Sequence, residues 1–183
     1  MLYIMRHGRT DWNVLHKLQG RTDIPLNEEG RLMAMAAHDT YLDTHLDLCF
    51  SSPLKRAKET AEIFLRGRDV PIETDDRLKE MSFGIYEGQE NTFQKPDCPI
   101  YVLFKDPAAY TKSAGGAETF EELFARAESF LSDMVLPEVN KGKDILIVGH
   151  GALNSAIICV LRQLPISEFW SNGLAQCKLL RLI

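Results

Sequence analysis

The sequence predicts an α/β fold: a three-layer sandwich with a mostly parallel central sheet, helices on both faces and a C-terminal edge strand. Three observations predict it. Short, wholly apolar runs alternate with stretches of helical period. The main runs end in turns rich in glycine or in serine and proline. Hydrophobic residues make up 45% of the 183, enough to cover a sheet on both faces.

The elements follow in order. Residues 2–5 are apolar and are stopped by Gly8, the pattern of a buried strand. Asn27, ahead of Glu28, Glu29 and an Ala/Met/Leu pattern, predicts a capped helix over 28–43. Residues 48–50 form a second buried strand. Ser52 and Pro53 then offer an N-cap and a proline at the first helical position, and Ala57, Ala61 and Phe64 keep helical spacing. Ile72–Thr74 reads as a short strand. Residues 89–116 mix prolines, aromatics and polar groups without a period, which reads as a long loop or lid over a site. Thr119 and Glu122 form a capping box before a helix to about Val135. Residues 145–148 are the most apolar strand, 152–161 a buried helix, and 174–183 a closing strand. There is no internal repeat. The length fits one domain, 1–183, with 89–116 as a lid-like insertion.

Composition narrows the function. The 21 Lys and Arg against 26 Asp and Glu give a net charge of −5, without the basic footprint of a nucleic-acid partner. No apolar run is long enough for a membrane span, and the one at the N-terminus is too short for a signal peptide. Cys49, Cys98, Cys159 and Cys177 form no CxxC or CxH pair, so neither zinc nor a disulfide framework is expected. Cys49 and Cys159 lie in apolar runs and read as core residues. Together these features point to a reducing, cytoplasmic setting. An acidic chain that takes an anionic substrate needs a local cluster of positive groups.

Three predicted strands end in polar, chemistry-bearing turns. One runs into Arg6-His7-Gly8, the second into Ser51-Ser52-Pro53 with Arg56 just beyond, the third into Gly149-His150-Gly151. The carboxyl edge of a parallel sheet frames a ligand crevice, so two arginines and two histidines are expected to converge there. Each has a plainer reading. Arg-His-Gly is commonly a polar turn, Arg56 is a surface arginine paired with Glu59 or Glu62, and His150 is a buried, hydrogen-bonded histidine. Against these, a cation near a helix start is unfavourable unless an anion binds there, and flanking glycines let a ligand approach the backbone.

Arg6-His7-Gly8-Arg9-Thr10-Asp11-Trp12-Asn13 resembles the RHGxTxWN pattern of the histidine phosphatase (phosphoglycerate-mutase-like) superfamily. The loop Gln19-Gly20-Arg21-Thr22-Asp23 and the block Ser51-Ser52-Pro53-Leu54-Lys55-Arg56-Ala57 are similar to the segments that follow in that family. So are Arg77-Leu78-Lys79-Glu80-Met81 with Gly84 and Glu87-Gly88, and Val148-Gly149-His150-Gly151. Met33 and Tyr86 depart from it, where relatives often carry glutamine and tryptophan.

The resemblance implies a nucleophilic His7 held by a backbone carbonyl, that of Gly8. Flanking charge from Arg6 and Arg56 disfavours its protonated form. Arg6, Arg56 and His150 are expected to bind the phosphoryl oxygens, with Asn13, Gln19, Gly20 and Gly151 completing the phosphate site. Glu80 is expected to move the proton of the leaving and attacking oxygens; its plainer role is pairing with an arginine. Neither metal nor other cofactor is expected. The leading function is a phosphomonoesterase of the small phosphatase branch, acting on a small phosphorylated metabolite. A phosphoglycerate-type mutase and a non-catalytic phosphate-ester-binding regulator are the alternatives. The short chain, ending at Ile183 without a closing tail, favours hydrolysis over mutase chemistry. The lid carries Phe93, Tyr101, Phe104 and Tyr110 with Lys95, Lys105 and Lys112, either touching substrate or packing as a loop with a solvated rim. Monomer and homodimer both remain open, and no nucleic-acid or membrane partner is expected.

Overall fold

The computed structural model describes residues 1–183. Strands β1 (Leu2–Arg6), β2 (Leu48–Ser51), β3 (Ile72–Thr74), β4 (Ile145–Gly149) and β5 (Leu179–Arg181) form one sheet in the order β3-β2-β4-β1-β5. Every pairing is parallel except that of β1 with β5. The sheet is therefore the expected mostly parallel one with a C-terminal edge strand, which the structure shows to run antiparallel.

The period of two along each strand divides the core. Ile4, Phe50, Ile145 and Ile147 pack with α5 (Phe120–Phe130) and α7 (Gly151–Arg162). α1 (Asp11–Val14) is a single turn after β1. Met5, Cys49, Leu146 and Val148 pack in a separate cluster with α2 (Glu28–Thr40) and α3 (Lys55–Phe64). All five residues of β4 are buried, which is why that run is the most apolar in the chain. The caps expected from sequence form: Asn27 accepts the Gly30 amide at 2.9 Å, and Thr119 and Glu122 cap each other's backbone. α2 ends at Thr40, short of residue 43.

Four further features differ from expectation. Ser52 is not the N-cap of α3. Its amide continues the sheet ladder to the Val148 carbonyl at 3.0 Å, so coiling begins at Lys55, and Ser52 Oγ accepts only the Leu54 amide. The helix after Thr119 does not stop at Val135. It passes through a π-turn (Leu131–Val135) into α6 (Leu136–Asn140). The widened turn accommodates Pro137, which lacks an N–H and whose ring presses on the preceding turn. The strand expected over 174–183 shrinks to Leu179–Arg181, because Cys177 sits at φ 54° and turns the chain. Residues 89–116 are not a bare loop. They hold 3₁₀ turns at Thr92–Gln94 and Pro107–Ala109 and a short helix, α4 (Tyr101–Lys105). Ile100, Leu103 and Tyr110 are buried in the larger core, while Lys95, Lys105 and Lys112 are exposed. No helix is long and apolar enough to cross a membrane.

Candidate active site

The carboxyl ends of β1, β2 and β4 lie side by side, and the turns leaving them are tied together. His7 donates its amide to the Gly149 carbonyl at 3.0 Å, and Asn154 Nδ2 donates to the Met5 carbonyl at 3.1 Å. The Gly8 amide donates to Thr60 Oγ1 at 3.0 Å, and that hydroxyl donates to the Arg56 carbonyl at 2.6 Å, which locks the His7 turn to α3. The first turn of α2 presses against the same backbone. A Cβ on Gly8 would lie 2.5 Å from the Gly30 carbonyl oxygen, so only glycine permits the approach.

His7 is 3% exposed, and its Nδ1 lies 2.7 Å from the Gly8 carbonyl oxygen. A carbonyl only accepts, so Nδ1 carries the proton and Nε2 presents a lone pair. Burial first, then the charges of Arg56 and Arg6, hold the His7 pKa well below its ordinary value. The sequence pointed to the arginines; burial is the larger cause and only the fold supplies it. His150 is completely buried, meets His7 edge-on with ring centroids 5.1 Å apart, and is likewise held neutral, mainly by burial.

Arg56 is not a surface residue paired with Glu59 or Glu62. It is fully buried, and Glu59 pairs instead with Arg31. Arg56 donates from Nη2 to the Gly20 carbonyl at 2.6 Å and from Nη1 to the Thr22 carbonyl at 2.9 Å. Burial lowers its pKa to about 10, which leaves it charged at neutral pH. Gly20 therefore serves as an anchor for Arg56, and its φ of 53° suits glycine. Arg6 is held only by a 3.5 Å contact from Nη1 to the Leu174 carbonyl.

Glu80 is 8% exposed and sits on the amino end of α7. Oε1 accepts the Met81 and Leu153 amides at 2.9 and 3.0 Å, and Oε2 accepts the Ala152 amide at 3.2 Å. It forms no direct salt bridge with an arginine, although its charge acts on Arg6 and Arg56. Asn13 and Gln19 turn their carboxamide oxygens to Thr10: Asn13 Oδ1 accepts the Thr10 amide, and the one Thr10 hydroxyl proton lies between Asn13 Oδ1 at 3.1 Å and Gln19 Oε1 at 3.0 Å. Gly151 faces Arg6 and Glu80, where a Cβ would make only ordinary contact at 3.6 Å, so this position does not demand glycine.

Six predicted residues, Arg6, His7, Arg56, Glu80, Asn13 and Gln19, line one cavity of about 290 Å³, as do Gly20 and Gly151. His150 stands beside His7 but is not part of that wall. Seven buried side-chain nitrogen or oxygen atoms in the chain lack a hydrogen-bond partner, and four belong to this place: Arg6 Nε, Arg56 Nε and both ring nitrogens of His150. Buried polar atoms without partners are costly, and the concentration here of two guanidinium N–H donors and an unpartnered imidazole marks an anion site. The groups with metal-ligating geometry, His45, Asp47 and Asp144, lie at the amino ends of β2 and β4, the opposite edge of the sheet. There Asp144 is already paired with the N-terminal ammonium at 2.7 Å.

Sequence reasoning missed the supports. Glu87 clamps the 19–22 loop: Oε1 accepts the Arg21 and Phe83 amides, each at 3.0 Å, and Oε2 accepts the Thr22 amide at 2.9 Å and its hydroxyl at 2.5 Å. Arg126 pairs with Glu118 at 2.6 Å and donates to the Arg77 and Lys79 carbonyls at 2.5 and 2.7 Å, fixing the chain just ahead of Glu80. Glu87 stood inside a recognised block, so a signal existed; Arg126 carried none.

A mostly parallel sheet with a neutral histidine, buried Arg56 and half-buried Arg6 at its carboxyl edge defines a phosphate-transfer architecture. A profile of the histidine phosphatase superfamily (branch 1) matches residues 2–183, and the chain belongs to that superfamily. It is 38% identical over 158 residues, 85% of its own length and 74% of the relative's, to an uncharacterized phosphatase, PhoE, of Bacillus subtilis (strain 168). It is 29% identical over 166 residues, 90% of its length and 78% of the relative's, to a 2,3-bisphosphoglycerate-dependent phosphoglycerate mutase of Cytophaga hutchinsonii. Among solved structures it resembles YhfR of Bacillus stearothermophilus with a TM-score of 0.85 and 31% identity, covering 97% of this chain and 88% of that one.

Proposed function

We propose that this chain is a metal-independent phosphomonoesterase that hydrolyses a small phosphorylated metabolite through a phosphohistidine on His7. The observation that carries the reading is the neutral His7, proton fixed on Nδ1, beside buried arginine and histidine nitrogens that lack hydrogen-bond partners.

His7 Nε2 attacks phosphorus, and the bond from phosphorus to the alcohol oxygen breaks. Arg6, Arg56 and His150 hold the non-bridging oxygens, with the N–H groups of Asn13 and Gln19 beside them. Such preorganised donors are the main source of rate in phosphoryl transfer. Glu80 gives its proton to the leaving oxygen from Oε2, the more weakly held of its two oxygens. It then takes a proton from water, which attacks the phosphohistidine and releases inorganic phosphate. The superfamily membership and the phosphatase relative support hydrolysis. In this reading 1–183 is one domain with 89–116 as its lid, working in the cytoplasm as a monomer or homodimer.

The similarity to the Cytophaga hutchinsonii enzyme favours the mutase reading. Incubation with 3-phosphoglycerate and a trace of 2,3-bisphosphoglycerate separates the two. Free phosphate without 2-phosphoglycerate is the expected result; rapid 2-phosphoglycerate formation that outpaces hydrolysis of every ester tested makes the chain a mutase.

A further inference from the structure

The cavity has two chemically distinct ends. The inner end holds Arg6, His7, Arg56 and Glu80. The outer end is walled by Trp12, Phe83, Phe93, Phe104 and Trp170, which the phosphate chemistry does not use. Phe104 is the hub of the wall. It stacks on Trp170 with centroids 5.3 Å apart and planes at 24°, and it meets Phe83 at 5.8 Å and Phe93 at 6.0 Å. The wall is fixed in place, since Trp170 Nε1 donates to the Leu103 carbonyl of α4 at 2.9 Å. α4 and the 3₁₀ segment Ile166–Asn172 thus build it jointly.

The same end is poor in free charge. Lys17 is the lining's one lysine or arginine apart from Arg6 and Arg56. It is engaged with Glu90 at 3.6 Å and lies 5.9 Å from the Trp12 ring centroid. Arg21, on the neighbouring loop, is paired with Glu118 at 3.3 Å. A carboxylate on the substrate's carbon skeleton would lose water here and meet only Lys17, already paired with Glu90, and the exposed imidazole of His16. An aromatic or apolar skeleton would bury surface against the rings.

Resting on the phosphatase reading, we infer that Phe104, Trp170 and their neighbours form an alcohol-side subsite selecting phosphate monoesters of planar, uncharged aromatic alcohols over carboxylated ones. The total space is near the lower end for small-molecule pockets, about 300 Å³, which suits a phosphoryl group with a short aryl-bearing chain.

The test uses alkyl esters, so that leaving-group chemistry stays matched. We expect kcat/KM for 3-phenylpropyl phosphate to exceed that for n-propyl phosphate, and that for phosphoserine, by about tenfold. Phe104→Leu should shrink the phenylpropyl-to-propyl ratio to about twofold or less. Better turnover of phosphoserine or 3-phosphoglycerate, or an unchanged ratio in Phe104→Leu, overturns the subsite. Calorimetry on the wild-type protein with the non-hydrolysable 3-phenylpropylphosphonate and n-propylphosphonate reads the subsite without turnover. Preference for the phenyl compound in a protein that hydrolyses no ester sinks the phosphatase reading alone; equal affinity sinks the aromatic subsite alone.

Discussion

The Glu80 carboxylate caps α7 through the Leu153 amide, 3.0 Å from Oε1, so one side chain both seals a helix end and faces the phosphate cavity. The two roles separate by substitution. Glu80→Gln keeps an oxygen acceptor at the helix end and removes the transferable proton. Turnover of alkyl phosphates should fall by about 10²–10⁴-fold, and phosphoenzyme formation from p-nitrophenyl phosphate should suffer far less, because nitrophenolate leaves without a proton. Glu80→Ala should in addition lower stability by about 1–2 kcal/mol through loss of the cap. Equal slowing of both substrates in Glu80→Gln would assign Glu80 a structural role only.

Buried neutral His7 and His150 link stability to pH. Both are held well below the ordinary histidine pKa in the folded state. Below about pH 6.5 the unfolded chain therefore takes up protons that the folded chain refuses, and stability falls as pH falls. The two sites together give a slope of up to about 2.7 kcal/mol of stability per pH unit on the acid side, vanishing above neutrality. Urea unfolding at pH 5.5 and pH 7.5 measures it. His7→Ala and His150→Ala should each flatten the dependence; an unchanged slope in both would contradict the burial argument.

Glu87 is predicted to act on phosphate binding from a distance. Its carboxylate organises the loop whose Gly20 and Thr22 carbonyls orient Arg56. Glu87→Ala should cost about 1–3 kcal/mol in stability and raise KM for phosphate esters more than it lowers kcat. A destabilised variant with wild-type KM would show that the loop holds Arg56 unaided.

Hydrolysis should persist in excess EDTA, and vanadate should inhibit by offering a pentacoordinate centre to His7, Arg6 and Arg56. Loss of activity on chelation with recovery on adding magnesium would contradict the metal-independent route.

Much of this was legible in sequence because the chemistry sits at strand ends, where an apolar run meets Arg6-His7-Gly8 or Gly149-His150-Gly151. Parallel pairing then brings those turns to one edge whatever lies between them. The contacts made by the supports were not legible, although Glu87 itself stood in a recognised block. Glu87 reaches Thr22 across a sequence separation of 65, and Trp170 meets Phe104 from another element altogether. No local period encodes either contact. α4 is five residues long, too short to show a helical stripe, and so hid within the aperiodic 89–116 segment. The late start of α3 was invisible because it depends on Ser52 staying paired with β4.

The most direct test of the account is trapping the covalent intermediate. Rapid quench of the enzyme with ³²P-labelled p-nitrophenyl phosphate should yield a phosphoenzyme that is labile in acid and stable in base, with the label mapped to His7. His7→Ala should form none and lose turnover. A fully active His7→Ala, or label on any other side chain, would contradict the mechanism at its centre.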